Sequence, residues 1–502
     1  MGGIKSQVAR AAKWSSVTEI AARLAAPVTN MILARLLLPE AFGAVATITM
    51  IVSFAEIFAD AGFQKFLIQR EFSDEAELDE STNVAFWTNL FLSAVLLTLV
   101  VLFRNPLARF AGNADLGPGV AVASSSVLML SFSSIQTARF KRDFNFKILF
   151  FVRVAAALIP LAVTVPLAAV FRNYWALIIG TLCSQLVQAI MLTVCSKWKP
   201  KLRYSVLRLK EMLSFSLWTL AETISIWLTS YIGTFIVGNM LNEYYLGLYK
   251  TSMTAVNACM AVITGATTPV LFSALSRLQK DEKQFRGVFF KFQRLVAMLV
   301  LPMGTGLFLY RGLATEILLG PKWSEAADFV GLWALMSGLT IIFSHYNSEV
   351  FRSKGKPKLS LLTQLIHLTA LIPTLMLGAL SGFHTLYIAR SLVRFQLIAA
   401  GMVILWIVFK IKPWEILQNV TPALLSTLVM TAAALLLQRV NGGIVWEFVS
   451  ILLCILVYAG CILSVPKMRR ELLEIDFVQG TVGKFRQVLQ RLMKIAQRGN
   501  HE

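Results

Sequence analysis

Charged side chains recur inside stretches of this sequence that are otherwise apolar enough to dissolve in oil. Four are cations: Arg23, Lys250, Arg390 and Arg394. The last two are four residues apart, on one face of a helix. Four are carboxylates: Glu19, Glu56, Asp60 and Glu222, with Glu56 and Asp60 also one turn apart. A charge at the bilayer centre costs about 2.5–3.5 kcal/mol even on a lenient insertion scale, so such groups face a cavity or a partner. Several cations in one lumen suit an anionic cargo, above all a diphosphate, which guanidinium groups grip in bidentate fashion. The carboxylates suit coupling or gating: they could pair with those cations when cargo is absent, or bind a coupling proton or cation.

Each residue also has a plainer reading. Glu19 precedes Arg23 by four residues, the favourable order for an intrahelical ion pair. Glu56 and Asp60 could simply bond to neighbouring helices. Arg35 lies near a membrane interface, where it snorkels. Arg153 is barely one turn inside its span, so snorkelling competes with ligand binding. Glu349 is placed to pair with Arg352 or Lys354, and His367 stands alone on an apolar helix, which suits a hydrogen-bonded packing role. The five cysteines (Cys183, Cys195, Cys259, Cys454 and Cys461) lack CxxC spacing, and the four histidines are scattered. The cysteines read as buried apolar side chains, and neither a metal site nor a cofactor is expected.

The elements that must position these residues are membrane spans. Of 502 residues 57% are hydrophobic and only 15% charged, whereas a soluble domain carries roughly a quarter charged. Apolar runs long enough to cross a bilayer as helices recur about fourteen times. They fall near 16–38, 42–63, 83–103, 118–138, 150–171, 174–195, 214–240, 245–270, 290–309, 327–350, 359–379, 384–409, 419–437 and 445–465. The runs are continuous rather than alternating, which excludes a β-barrel. With the N-terminus placed in the cytoplasm, the cytoplasmic segments hold 35 Lys and Arg and the opposite loops six. Positive-inside bias therefore puts both termini in the cytoplasm. The net charge of +20 then sits where anionic membrane lipids lie, and no nucleic acid is needed to explain it. The basic start "MGGIKSQVARAAKW" runs into a full span and does not read as a cleavable signal peptide. The loops are too short to fold as a catalytic domain and carry no P-loop or nucleophile elbow, so an enzyme is not expected.

Shifted by 204 residues, the halves echo one another. "WSSVTEIAARLAAPVTNMILARLLLPEAFGAV" from Trp14 aligns with "WTLAETISIWLTSYIGTFIVGNMLNEYYLGLY" from Trp218, matching Gly43 to Gly247. Six spans precede residue 200 and six follow, in the same orientation, as in transporters built from parallel repeats. The expected organisation is an N-terminal six-helix bundle at 1–200, a C-terminal six-helix bundle at 201–410, two extra transmembrane helices at 411–465 and a basic amphipathic cytoplasmic tail at 466–502. Gly43 and Gly247 read as permitting the tight turn of each helical hairpin.

These residues carry a resemblance. "ILARLLLPEAFGAVATITMIVSFAEIFADAGFQKFLIQRE" and "STNVAFWTNL" are similar to the first spans of bacterial polysaccharide flippases, the Wzx/WzxC-like PST transporters of the MOP superfamily. The matching features are a Leu-Pro-Glu-x-Phe-Gly turn, a span ending in Asp-x-Gly-Phe, and a Gln-Arg-Glu entering an acidic loop. The resemblance implies an all-α, MATE-like MOP fold in the bacterial inner membrane. It implies alternating access moving undecaprenyl-diphosphate-linked oligosaccharide outward, for capsule, exopolysaccharide or O-antigen synthesis. A polysaccharide polymerase or co-polymerase complex is the partner it suggests. It also places Arg23 where related flippases carry a lumenal arginine. The alternatives are a multidrug or metabolite antiporter of the same superfamily, and a membrane polymerase, ligase or assembly scaffold.

Overall fold

The computed structural model describes residues 27–60, 62–143, 145–356, 358–440 and 442–473, without the side chains of 69, 214–219 and 221–222. Among these residues there is no strand. Twelve helices are long and apolar enough to cross a membrane. They are α2 (Pro39–Asp60), α3 (Glu75–Leu102), α4 (Ala114–Arg142), α5 (Phe146–Phe171), α6 (Trp175–Cys195), α8 (Glu243–Arg277), α9 (Glu282–Leu309), α10 (Pro321–Ser353), α11 (Lys358–Leu380), α12 (Phe383–Phe409), α13 (Pro413–Leu437) and α14 (Gly443–Ser464). Two more helices stand where spans one and seven are expected: α1 (27–36), and α7 (Val206–Met240). The set is compatible with fourteen spans. The first part of span one, with Glu19 and Arg23, and the tail after 473 lie outside the described residues.

Local chemistry sets the helix ends and breaks. At the start of α3, Asp74 Oδ1 accepts from the Glu77 backbone N–H at 2.7 Å while Glu77 Oε2 accepts from that of Ser73 at 2.8 Å. Two otherwise unpaired donors are thus satisfied reciprocally. Asp281 caps α9 in the same way, accepting from the Gln284 N–H at 3.0 Å. Pro269, Pro302, Pro373 and Pro422 lie inside spans, where neighbouring helices make such breaks tolerable. Two π-turns, Pro160–Thr164 in α5 and Ile341–His345 in α10, widen the backbone locally.

The chain forms two compact units. The first comprises, of the described residues, 27–266, 311–333 and 361–397, and so contains both hairpins of the repeat, α1–α2 and α7 with most of α8. One of its cores joins Phe63, Leu67, Phe86, Trp198 and Met212; another joins Ile48, Val52, Val100, Val120 and Ile178. The second unit comprises, of the described residues, 267–310, 334–360 and 398–473. In it α13 and α14 pack on α9: Tyr310, Met430, Ala434 and Cys454 form a core, and Tyr458 Oη donates to Met298 O at 2.8 Å. Buried Arg294 of α9 binds Glu471 and Asn419, tying the short helix Pro466–Leu473 to the same unit.

Candidate functional site

The site is built where the two hairpins of the repeat cross, inside the first unit. The tight turns are made by Leu37–Leu38 and by Leu241–Asn242, 204 residues apart. Gly43 and Gly247 are not in those turns. Both are helical, neither has positive φ, and both lie where α2 meets α8. A Cβ on Gly43 would stand 1.9 Å from Glu243 O, and one on Gly247 would stand 1.9 Å from Pro39 O. Glu243 is the repeat equivalent of Pro39. The two contacts are therefore copies of one another under a local two-fold, and glycine is needed for backbone approach rather than for a turn. Around the crossing, Asn113 hydrogen-bonds Glu243, Trp323 Nε1 donates to Ala34 O at 2.8 Å, and Arg35 Nη2 donates to Ile317 O at 2.7 Å.

Further along the spans α1, α2, α7 and α8 separate to leave a cavity of about 220 Å³. Its polar lining comes from Asn30, Thr49, Tyr231, Lys250, Thr251 and Thr254. Lys250 has no ion-pair or hydrogen-bond partner for its ammonium among the described residues; its Nζ sits 4.9 Å from the centroid of the Tyr231 ring. Tyr249, next in sequence and buried, leads to the arginines. Its hydroxyl accepts from Arg390 Nε at 3.0 Å and fits against Gly233, where a Cβ would come within 2.4 Å. Trp333 organises both guanidinium groups: Arg390 Cζ is 4.8 Å and Arg394 Cζ 3.4 Å from its ring centroid. The indole N–H is held by Asn257 Oδ1 at 3.2 Å. Arg390 Nη1 is buried with no partner. Arg390 is close enough to repel both Lys250 and Arg394. Aromatic faces offset part of that repulsion.

Residues 32–328, more than half of the chain, match the family described as "Polysaccharide biosynthesis protein". The chain belongs to that polysaccharide biosynthesis protein family. It is 21% identical over 381 residues to the lipopolysaccharide biosynthesis protein WzxC of Escherichia coli, covering 75% of this chain and 76% of WzxC. Among solved structures it is similar to the lipid II flippase MurJ in its inward closed conformation, with a TM-score of 0.74 over 91% of this chain and 99% of MurJ at 13% identity. It is also similar to an inward-facing multidrug resistance MATE transporter of the MOP superfamily, with a TM-score of 0.60 over 77% of this chain and 96% of that one at 13% identity. The architecture is thus the MOP fold that the sequence led one to expect.

This family member brings together three of the four expected cations, Lys250, Arg390 and Arg394. Arg23 and Glu19 lie outside the described residues, as does the Glu222 side chain. Glu56 and Asp60 go elsewhere. Glu56 accepts from Ser126 Oγ at 2.8 Å with Gln185 beside it. Asp60 binds Ser134 Oγ and the Gly62 N–H, near Lys65 and Lys141. Glu349 pairs with Arg352 at 3.2 Å, and Lys354 with Glu282 instead. His367 Nδ1 is hydrogen-bonded to Gln396 at 3.0 Å. All five cysteines are free, but of the five expected to be buried only Cys454 is; Cys183, Cys259 and Cys461 are half-buried and Cys195, at the end of α6, is exposed. Sequence reasoning missed Tyr249, Trp333 and Gly233. The one available signal was Trp333 itself, an indole with a polar N–H in the middle of an apolar run.

Proposed function

We propose that this chain is a flippase that moves undecaprenyl-diphosphate-linked oligosaccharide from the cytoplasmic to the outer leaflet of the bacterial inner membrane. The observation that carries the reading is the cluster of Lys250, Arg390 and Arg394 beside a cavity at the crossing of two repeated hairpins, with Lys250 unpaired and one Arg390 nitrogen unsatisfied. A diphosphate supplies what that cluster lacks: anionic oxygens for the ammonium and for the free guanidinium edge. Membership of a polysaccharide biosynthesis family and the fold shared with a lipid II flippase support a lipid-linked saccharide as cargo. The same fold serves a multidrug transporter, but Lys250 in the cavity wall, with Arg390 and Arg394 next to it, disfavours a cationic drug.

In this reading the bundles 1–200 and 201–410 rock against each other. The Lys and Arg bias puts both termini in the cytoplasm and the Gly43–Gly247 crossing at the outer end, where it closes the path. A polymerase complex receiving the cargo outside is the partner that follows. The test is leaflet-resolved labelling of lipid-linked glycans in a strain lacking the gene. Build-up of undecaprenyl-linked oligosaccharide on the cytoplasmic side, cleared by the wild-type gene, is the expected result. Glycan that reaches the outer leaflet but stays short or unattached would place the protein after flipping, as a polymerase, ligase or scaffold.

A further inference from the structure

A π-turn interrupts α10 at Ile341–His345. Such turns are rare, and regular helix is their competitor. Removing one shifts the residues on one side by a helical position, roughly 100° of rotation and about 1.5 Å of rise. The turn therefore decides what α10 exposes. Residues 341–344, 346 and 347 are buried, and His345 alone in that run is exposed. The end of α8 makes two contacts here, Thr267 Oγ1 with Tyr346 Oη at 2.6 Å and Thr268 Oγ1 with His345 Nε2 at 3.2 Å. A third contact reaches the backbone inside the turn: Gln293 Nε2 of α9 donates to Ile342 O at 3.2 Å. A side chain inserted into the ladder is one of the few things that hold a helix out of regular register.

That glutamine ends a chain of hydrogen bonds that begins at the C-terminal helix, all of it within the second unit. Met468 is fully buried, so Pro466–Leu473 is docked. Glu471 binds Arg294 through both carboxylate oxygens, with Arg294 Nε donating to Oε2 at 2.9 Å. Arginine has only donors, so Asn419 presents its oxygen to Arg294 Nη1. The Asn419 amide nitrogen is thereby turned to Phe290 O at 2.9 Å and to Gln293 Oε1 at 3.1 Å. Gln293, its oxygen taken, has its nitrogen for Ile342 O. Each amide orientation follows from the one before it, and the first is set by a cation that Glu471 holds in place. We propose that the C-terminal helix positions α10: Glu471, acting through Arg294, Asn419 and Gln293, holds the π-turn and thereby keeps His345 exposed. Without the Glu471 carboxylate the buried Arg294 loses a bidentate counter-ion and turns to other acceptors, which frees Asn419 and then Gln293. The turn then relaxes to regular helix, and the His345 ring moves in among the neighbouring side chains.

The experiment is acylation of histidines by diethyl pyrocarbonate, a small neutral reagent, in the purified full-length protein in nanodiscs, with rates read by peptide mass spectrometry. The chain has four histidines, and exposed His384 and buried His367 serve as references in the same sample. Glu471→Gln removes the charge with little change of volume, and Gln293→Leu removes the amide at the other end of the chain. Each should slow His345 several-fold relative to His384, and the double variant should slow it no further than the stronger single change. A helix that only packs would cost stability when altered and leave the His345 rate alone. An unslowed His345 in either folded variant, with His367 still protected, therefore overturns the proposal, and so do additive effects of the two changes. Should Glu471→Gln fail to fold, Gln293→Leu and Asn419→Leu, which keep the ion pair, decide: wild-type rates at His345 in both overturn it. The assay involves no cargo, so its result stands whatever the flippase test returns.

Discussion

Lys250, Arg390 and Arg394 share a sign of charge but not a set of contacts, and that difference predicts how each responds to removal. Lys250 gives its neighbours only a cation–π contact with Tyr231. Lys250→Ala should therefore abolish most export while leaving thermal stability unchanged or slightly raised, since an unpaired desolvated charge is lost. Arg394 sits over the ring of buried Trp333. Arg394→Ala removes a desolvated cation–π contact and should cost about 1–3 kcal/mol as well as lowering export. Thermal unfolding in parallel with glycan export separates the two; equal stability losses would mean that Lys250 is structural as well. A second residue-scale prediction concerns Gly233. An added methyl meets the Tyr249 hydroxyl, so Gly233→Ala should displace the partner of Arg390 and reduce export; Tyr249→Phe, which removes that partner, should reduce it as well, with little further loss in the double variant. Additive losses in the double variant would show that Gly233 acts otherwise. At this scale the sequence revealed the cations, because a charge in an apolar run is visible by itself. It hid Trp333 and Tyr249, whose roles come from Asn257, Arg390 and Arg394, distant from them in sequence.

The helices carry information of a different kind. The spans were legible because each needs its own continuous apolar run, and the repeat was legible because both hairpins keep the same order of turn and glycine. The purpose of the glycines was not legible. Gly43 meets Glu243 and Gly247 meets Pro39 across the crossing, and a single hairpin read alone explains neither. A carbonyl 1.9 Å from a new Cβ leaves no room, so Gly43→Val should force α2 and α8 apart at that end. An Ala46→Cys probe in the cavity wall should then react faster with a thiol reagent applied from outside. Unchanged labelling would put the closure elsewhere. At the other end, ahead of the expected span 214–240, Glu211 is bound by Arg70 at 2.5 Å and by Arg208 at 3.3 Å. The Arg70 hydrogen bond, with Arg208 beside it, holds the Glu211 carboxyl below its ordinary range. A depressed carboxylate contributes stability above its unfolded pKa, near 4.3, and loses that contribution as pH falls through the folded value. The stability difference between wild type and Glu211→Gln should thus be small at pH 7, because the pair is solvated, and vanish in acid. A difference that grows as pH falls would contradict the pairing.

For the whole molecule the decisive question is whether the α2–α8 crossing has to open. Two copies of one contact, related by the repeat, form an interface that is symmetric and therefore either closed or parted; a half-open state breaks one copy and strains the other. Alternating access in a chain of this fold needs it to part, because Lys250 and the cavity lie beyond it. Asn113 and Glu243 touch at this crossing, one from the segment joining α3 to α4 and the other from the first turn of α8. Replacing both with cysteine places two thiols across it. Oxidation of that pair should stop export with the protein still folded and still able to bind cargo, and reduction should restore it; each single cysteine variant should export whether oxidised or not. Charge bias alone cannot make this prediction, since it orients the spans without saying which of them separate. Full export by the oxidised double variant would mean that cargo passes without parting the repeats, and the cations beside the cavity would then have to be reached from the lipid side.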